Sequence, residues 1–394
     1  MTRTVSLLHV SDLHFSRRTI DDSKVVIASF LQSVQSRQSM GENPDIIVFS
    51  GDLANDADET EIYQLLFDEV IAPLVGLTSA RLVTLPGNHD AQRSAIRPRM
   101  NRDLSIIHEV KSRKQLNEYC RSEDFTNLVA PRFAQFTDLQ RCIDASELIF
   151  ENAISRVYHF SDLDVAVMTL NTAAFTLAGI DGHSDYGSLL VPEALVVEAI
   201  DHLPDDCYRI ISAHHPSEWL EEICRKDLEM LIAKTFDLHL FGHVHEARPS
   251  MIVDPAGSVY RNQSGALYSN RNRFNGYTLI SVITAQKHLR AEIHSYFDGR
   301  REFDVATNVC PGGTVYSSNV AQSAFSEVIT RKVLSQLAAW LENVMVPHLR
   351  HILDDGFAKR PVSEVFVEPP LTRGPRRAVD ADDLDGPDPR GSLT

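Results

Sequence analysis

The chain reads as an α/β protein, and two observations carry that reading. Short apolar runs of strand length alternate with segments long enough for helices. Buried strands interleaved with helices imply a sheet that is largely covered on its faces. Composition agrees, because 43% hydrophobic and 8% aromatic residues can fill a core. A length of 394 residues suits one large domain with additions, or two modest ones.

In chain order, the strand candidates are "TVSLLHV" (4–10), "DIIVFS" (45–50), "RLVTLP" (81–86), "DVAVMTL" (164–170), "RIISA" (209–213) and "LHLFG" (238–242). "GYTLISVIT" (276–284) and "RAEIHSYF" (290–297) follow. Helices are expected at about 23–39, 59–75, 192–203 and 218–235. Residues 91–155 break this rhythm with polar, mostly helical sequence and read as an insertion in a core domain spanning 1–297. Residues 298–353 form a less regular C-terminal extension. Its helix at 327–346 places Leu334, Leu337, Leu341 and Val344 on one stripe ahead of Pro347. From Asp354 the chain turns to Pro, Gly, Asp and Arg, a composition that stays disordered, around a short apolar island "PVSEVFVEPPLTR" (361–373).

The bulk numbers narrow the function classes. A formal net charge of −16 argues against broad binding to nucleic acid or acidic membrane, while leaving room for a local basic groove. The five cysteines (Cys120, Cys142, Cys207, Cys224, Cys310) are odd in number and scattered, which predicts reduced thiols and a cytoplasmic location. The N-terminus "MTRTVSLLHV" has no long apolar signal region, and no run of 18 apolar residues predicts a membrane span.

Polar groups gather just beyond five of the strands. "LLHVSDLHF" delivers Asp12 and His14, and "IIVFSGDLAND" delivers Asp52. "RLVTLPGNHD" delivers Asn88, His89 and Asp90; "IISAHHP" delivers His214 and His215; "LHLFGHVHE" delivers His243 and His245. Any one of these alone would pass for a turn or a cap. Together they form a constellation, since ligands in α/β sheets sit at strand ends. Two neighbouring divalent cations need nitrogen and oxygen ligands and an anion able to bridge. Asp52 suits the bridge, Asp12 adds a second charge, Asn88 adds a neutral oxygen and the imidazoles complete the shells. No cysteine lies near a cluster, which disfavours a thiolate zinc site.

The set D-x-H, G-D, G-N-H-D, H and G-H-x-H resembles the calcineurin-like metallophosphoesterase superfamily. The resemblance implies a four-layer αββα sandwich of two mixed β-sheets flanked by helices, with two metals (Mn²⁺, Fe²⁺/Fe³⁺ or Zn²⁺) at the strand ends. It implies that Asp12, His14, Asp52 and His245 hold one metal, and that Asp52, Asn88, His214 and His243 hold the other. His215 is then left beside the ligands as a substrate contact. His89 matches the histidine on the leaving-group side, as general acid or electrostatic stabiliser, with Asp90 orienting it.

For the substrate, "GNHD", "HHP", "LNTA" and the "SGAL…GYTLISV" ending resemble bacterial phosphodiesterases of the cyclic-nucleotide and glycerophosphodiester type. "GDLANDAD" lacks the arginine that family protein phosphatases carry after G-D, which lowers that reading. A nuclease of the Mre11 kind, acting on DNA or RNA, is the alternative, and a non-catalytic scaffold ranks last because no ligand is missing. Arg17, Arg93, Arg271 and Arg273 are candidate contacts to an anionic phosphodiester. Between Ala91 and Arg121, Arg93, Arg97, Arg99, Arg102, Lys111, Arg113, Lys114 and Arg121 outnumber Asp103, Glu109 and Glu118, so a positive rim or merely a solvated charged face is expected there. The apolar island weakly resembles the junction following N-terminal effector domains of bacterial NTPase signalling proteins of the defence type, which implies a regulatory NTPase or other protein partner.

Overall fold

The computed structural model describes residues 4–255, 257–269 and 274–341. Among the described residues, fourteen strands follow in chain order: β1 (Thr4–Val10), β2 (Ile46–Phe49), β3 (Arg81–Thr84), β4 (Leu148–Glu151), β5 (Ser155–Phe160), β6 (Val165–Leu170) and β7 (Tyr208–Ala213). Then come β8 (Leu238–Phe241), β9 (Arg248–Asp254), β10 (Gly257–Gln263), β11 (Gly276–Ile283), β12 (His288–Phe297), β13 (Glu302–Val305) and β14 (Thr314–Tyr316). One seven-stranded sheet has the order β13-β12-β11-β1-β2-β3, with β14 also on β12; the other runs β4-β5-β6-β7-β8-β10-β9. Both are mixed: β1, β2 and β3 are parallel, as are β6, β7, β8 and β10, while the remaining pairs are antiparallel.

Strand alternation builds the layers. Val5, Leu7, Ile46, Val48 and Val83 pack against Val165, Val167, Ile210, Leu238 and Leu240 of the facing sheet. Leu8, Val10, Ile47 and Phe49 turn the other way, onto Val26, Phe30, Leu66 and Leu74 from helices; Ala166, Met168 and Ile211 likewise share a cluster with Val196, Leu228 and Ile232. The result is the expected αββα sandwich. Each fully buried Val, Leu or Ile side chain is worth about 1.5–3 kcal/mol, so the two apolar seams dominate the stability.

Three boundaries differ from expectation. β13 and β14 pair with β12, so the first sheet continues past 297; both are short and polar, too weak a pattern to read as strands. The helices of the insertion end at Ile143, and Leu148–Glu151 is an edge strand of the second sheet on β5, so this segment does not belong to a helical cap reaching 155. The C-terminal helix starts earlier, at Asn319, and runs to Trp340. The chain divides after Phe325; in the part that follows, Val333, Leu334, Leu337 and Trp340 are exposed. Val344, the tail from Asp354 and the island 361–373 lie outside the described residues. No described helix is long and apolar enough to cross a membrane.

The insertion is bolted to the core through one buried cation. Arg132 is 1% exposed, pairs with the fully buried Asp103, and donates to the carbonyls of Ala174 and Thr176 at 2.9 and 3.0 Å.

Candidate metal centre

All five expected clusters meet at one end of the sandwich. Asp12 and His14 follow β1, Asp52 follows β2, Asn88 and His89 follow β3, His214 and His215 follow β7, and His243 and His245 follow β8. Loops that leave parallel strands in the same direction bring these side chains together from 231 residues apart, as with His14 Nε2 and His245 Nε2 at 2.9 Å.

Each carboxylate has two tasks. Asp52 Oδ1 accepts the backbone N–H of His89 at 2.8 Å, while Oδ2 faces His214 Nε2 at 3.2 Å and His14 Nε2 at 3.9 Å. Asp12 Oδ2 accepts the N–H of His243 at 3.0 Å, while Oδ1 faces His245 Nε2 at 3.3 Å and His14 Nε2 at 3.7 Å. One oxygen therefore fixes a neighbouring ligand loop and the other points into the cluster. Glycine makes this approach possible. A Cβ on Gly87 would lie 2.1 Å from Asp52 Oδ1, and one on Gly242 would lie 1.9 Å from Ser11 Oγ and 2.3 Å from Asp12 Oδ2. The loops are also strained: Asp12, His14, Asp52, His243 and His245 have φ of 53°, 44°, 52°, 71° and 60°. A left-handed backbone costs a non-glycine residue about 1–2 kcal/mol, and its concentration at five ligand positions marks a functional site.

The donor set fits a pair of divalent ions. Asp12 Oδ1 and Asn88 Oδ1 are buried acceptors with no hydrogen-bond partner. His243 Nδ1 and His214 Nε2 approach to 3.2 Å, and overlapping groups of Asp12, His14 and His245 and of Asp12, Asp52 and His214 each bring three ligand atoms within 4.8 Å of one another. Asp12, His14, Asp52 and His245 would hold one ion, and Asp52, Asn88, His214 and His243 the other. Nitrogen and oxygen donors of this kind suit Mn, Fe or Zn.

Electrostatics show what the cluster does without metal. Burial penalises charge on Asp12, yet the imidazoles of His14 and His245 facing it hold its carboxyl well below the ordinary range. Burial likewise opposes ionisation of Asp52, but His214 and His89 push it below the ordinary range. Burial alone would lower His214, and the charge and hydrogen bond of Asp52 instead raise it to about 9; His14 is raised in the same way by Asp12 and Asp52. Burial and the like charge of His214 lower His243 to about 3. Protons on His14 and His214 thus balance the two carboxylates, and metal binding must displace them.

Residues 5–247 match the family profile described as calcineurin-like phosphoesterase. The chain belongs to that family. It is a metal-dependent hydrolase of phosphoester bonds. Solved structures similar to this phosphoesterase include a dimetal phosphatase from Danio rerio, with 10% identity, 76% of this chain and 98% of that chain covered, and a TM-score of 0.41. A phosphopantetheinyl hydrolase from Mycobacterium tuberculosis has 13% identity, 68% and 91% coverage and a TM-score of 0.36. A predicted phosphoesterase from Streptococcus pneumoniae has 10% identity, 81% and 100% coverage and a TM-score of 0.30. No curated protein matches the chain.

The residues around the ligands correct several expectations. His89 meets the His14 ring edge-on at 4.7 Å, and its Nδ1 donates to the Asn55 carbonyl at 2.8 Å, which leaves Nε2 for the site. Asn55, not Asp90, orients that ring. The Asp90 carboxylate is fully buried and accepts from the N–H groups of Leu53, Ala54 and Gly87 and from the Tyr63 hydroxyl, so it ties the G-D loop to the G-N-H loop. Burial and the nearby charge of Asp52 raise it to about 6.

His215, expected at the substrate, is 2% exposed, bonds Thr172 Oγ1 at 2.9 Å and packs 4.4 Å from the His243 ring. It supports the ligands from behind. Arg17 pairs with Glu61 at 3.2 Å, and Arg93 pairs with Asp56 at 3.2 Å and donates to the Ala178 carbonyl. Arg97, Arg102, Arg113 and Lys114 also have carboxylate partners, so most of the expected positive rim is locally cancelled. Arg271 and Arg273 lie outside the described residues.

Other groups carry no sequence signal of their own. Ser50 O accepts from His214 Nδ1 at 2.8 Å, and Ser50 Oγ bonds His9 Nε2 at 2.8 Å; His9 Nδ1 is in turn 2.8 Å from Asn262 Nδ2. His9 is the third inward position of β1 after Val5 and Leu7, and burial lowers it to about 3, so it stays neutral. Trp219 stands 3.9 Å from the His243 ring, near perpendicular to it.

Proposed function

We propose that this phosphoesterase hydrolyses a phosphodiester, either a small one or a nucleotide diester. One observation carries the choice of diester. Among the described residues, two of the four arginines expected at the phosphate are held by carboxylates, Arg17 by Glu61 and Arg93 by Asp56, and no guanidinium or ammonium bonds to the cluster. A monoester carries close to two negative charges near neutral pH, whereas a diester carries one. Among the described residues no protein cation would add to the charge of the metals, which suits the single charge.

When bound, two divalent ions would supply Lewis acidity and a water acidified toward neutral pH. The protein supplies the rest. The Asp52 and Asp12 carboxylates set the spacing, and the Asp52–His89 backbone bond fixes the leaving-group side against the metal side. With Nδ1–H committed to Asn55 O, a protonated His89 carries its second proton at Nε2, ready for the departing oxygen.

The reading is tested with Mn²⁺-loaded protein on bis-p-nitrophenyl phosphate, p-nitrophenyl phosphate, cyclic nucleotides, and single- and double-stranded DNA. Diesters should exceed the monoester at least tenfold in kcat/KM. A monoester preference rejects the reading; a preference for DNA over every small diester replaces it with the nuclease.

A further inference from the structure

Trp219 and Tyr186 form an aromatic corner beside one end of the metal cluster. Their rings are perpendicular, at 82° and 5.4 Å, and Trp219 itself stands edge-to-face on His243. Tyr186 is 65% exposed, the sole Phe, Tyr or Trp so exposed among the described residues before Phe325. An exposed aromatic ring is ordinarily free to move, but this one is held. The next residue back, Asp185, is buried and accepts from Thr176 Oγ1 and from the Leu177 N–H at 3.0 Å. Backbone bonds from Leu189 N to Trp219 O and from Glu221 N to Leu189 O then lock the Tyr186 loop to the Trp219 segment.

We infer that this corner is a stacking subsite for the base of a nucleotidyl diester, so that the retained group at phosphorus is a nucleoside. The inference rests on the diesterase reading and names its substrate class. The placement carries it: Trp219 abuts His243, whereas His89, on the leaving-group side, abuts His14. A substrate spanning the cluster therefore leaves toward His89 and keeps its other substituent on the aromatic side. A planar base can lie on one ring while its edge meets the other, an arrangement that binds any base without reading its hydrogen-bonding groups.

The test uses two esters with the same leaving group, thymidine 5′-(p-nitrophenyl phosphate) and methyl p-nitrophenyl phosphate. Water attack on either breaks the same P–O bond and releases p-nitrophenolate. The Mn²⁺-loaded protein should favour the nucleoside ester at least tenfold in kcat/KM. Tyr186→Ala should reduce that ratio about tenfold, chiefly through KM, and Tyr186→Phe should restore it. The chain has two tryptophans, so in a Trp340→Phe background thymidine 5′-monophosphate should saturably quench Trp219 fluorescence. A ratio near one in the native protein, a ratio unmoved by Tyr186→Ala, or absent quenching overturns the stacking site while leaving the diesterase intact. If neither ester is hydrolysed, the diesterase reading falls and the subsite falls with it.

Discussion

Around Asp12, the imidazoles of His14 and His245 are 10% and 21% exposed, and His89 stands at their open side. Around Asp52, His214 is fully buried, His215 backs His243, and a chain of Ser50, His9 and Asn262 reaches from the His214 ring into the space between the sheets. The two halves use the same residue types and the same device, a carboxylate with one oxygen on a backbone N–H. They differ in what lies behind and in front. The His214 half is anchored from below, with Trp219 against its His243 ring. The His14 half is open, next to the group that meets the leaving oxygen. One half holds; the other admits.

If Asp52 joins the halves, Asp52→Asn should lower turnover roughly thousandfold or more, about 4 kcal/mol of barrier, with both metals weakened in elemental analysis. Two ions retained with activity within tenfold would separate the halves and remove Asp52 as the bridge.

Without metal, the buried half should show a pH signature. His214 is raised to about 9, so its contribution is complete below its unfolded value near 6.5 and is lost as pH rises through 9. At 1.36 kcal/mol per unit, this allows up to about 3 kcal/mol. On the acid side, His243 and His9, both lowered to about 3, resist protonation and reduce stability below 6.5. Calorimetry of the metal-free protein should therefore find a maximum near neutral pH and a fall toward pH 9 that Mn²⁺ abolishes. An alkaline fall unchanged by metal would mean that His214 is not a ligand.

On the open side, His89→Ala should keep both metals but reduce turnover about a hundredfold, about 2.7 kcal/mol, for an alkoxide leaving group. The loss should be under tenfold for p-nitrophenolate, which needs no proton. Equal losses would leave His89 with substrate positioning alone. Smallest is the effect of the support beneath His214. His9→Val should weaken binding of one of the two ions about tenfold, about 1.4 kcal/mol, seen in metal titration, while turnover at saturating metal stays near that of the native protein. Loss of both ions in equal measure would show that His9 serves the fold rather than one half of the cluster.

The strand-end ligands were legible because each follows an apolar run that could only be a covered strand, and the chain order of the motifs carried the family. Strands such as "SRVYHF", "RPSMIVD" and "GSVYRNQ" were not legible, since polar residues interrupt the apolar run that marks a covered strand. The role of Asp90 was misread because adjacency to His89 in sequence suggested contact, whereas the turn sends the carboxylate back into the core. The basic residues of the insertion look free in sequence only because their partners are distant: Asp56 for Arg93, Asp181 for Arg97, Asp227 for Arg113. Trp219 and Tyr186 are 33 positions apart by number, and only the Leu189 backbone pairing makes them neighbours.

The Arg132 anchor has a consequence for modularity. Its guanidinium takes two carbonyls from the very loop that goes on to Asp185 and Tyr186. A graft that exchanged 93–143 for the insertion of another family member would strip those carbonyls of their donor, at a cost of about 1–3 kcal/mol for each one left buried and unpaired. The transferable cassette is therefore discontinuous, 93–143 together with 172–188, and substrate preference should travel with the pair and not with either piece alone.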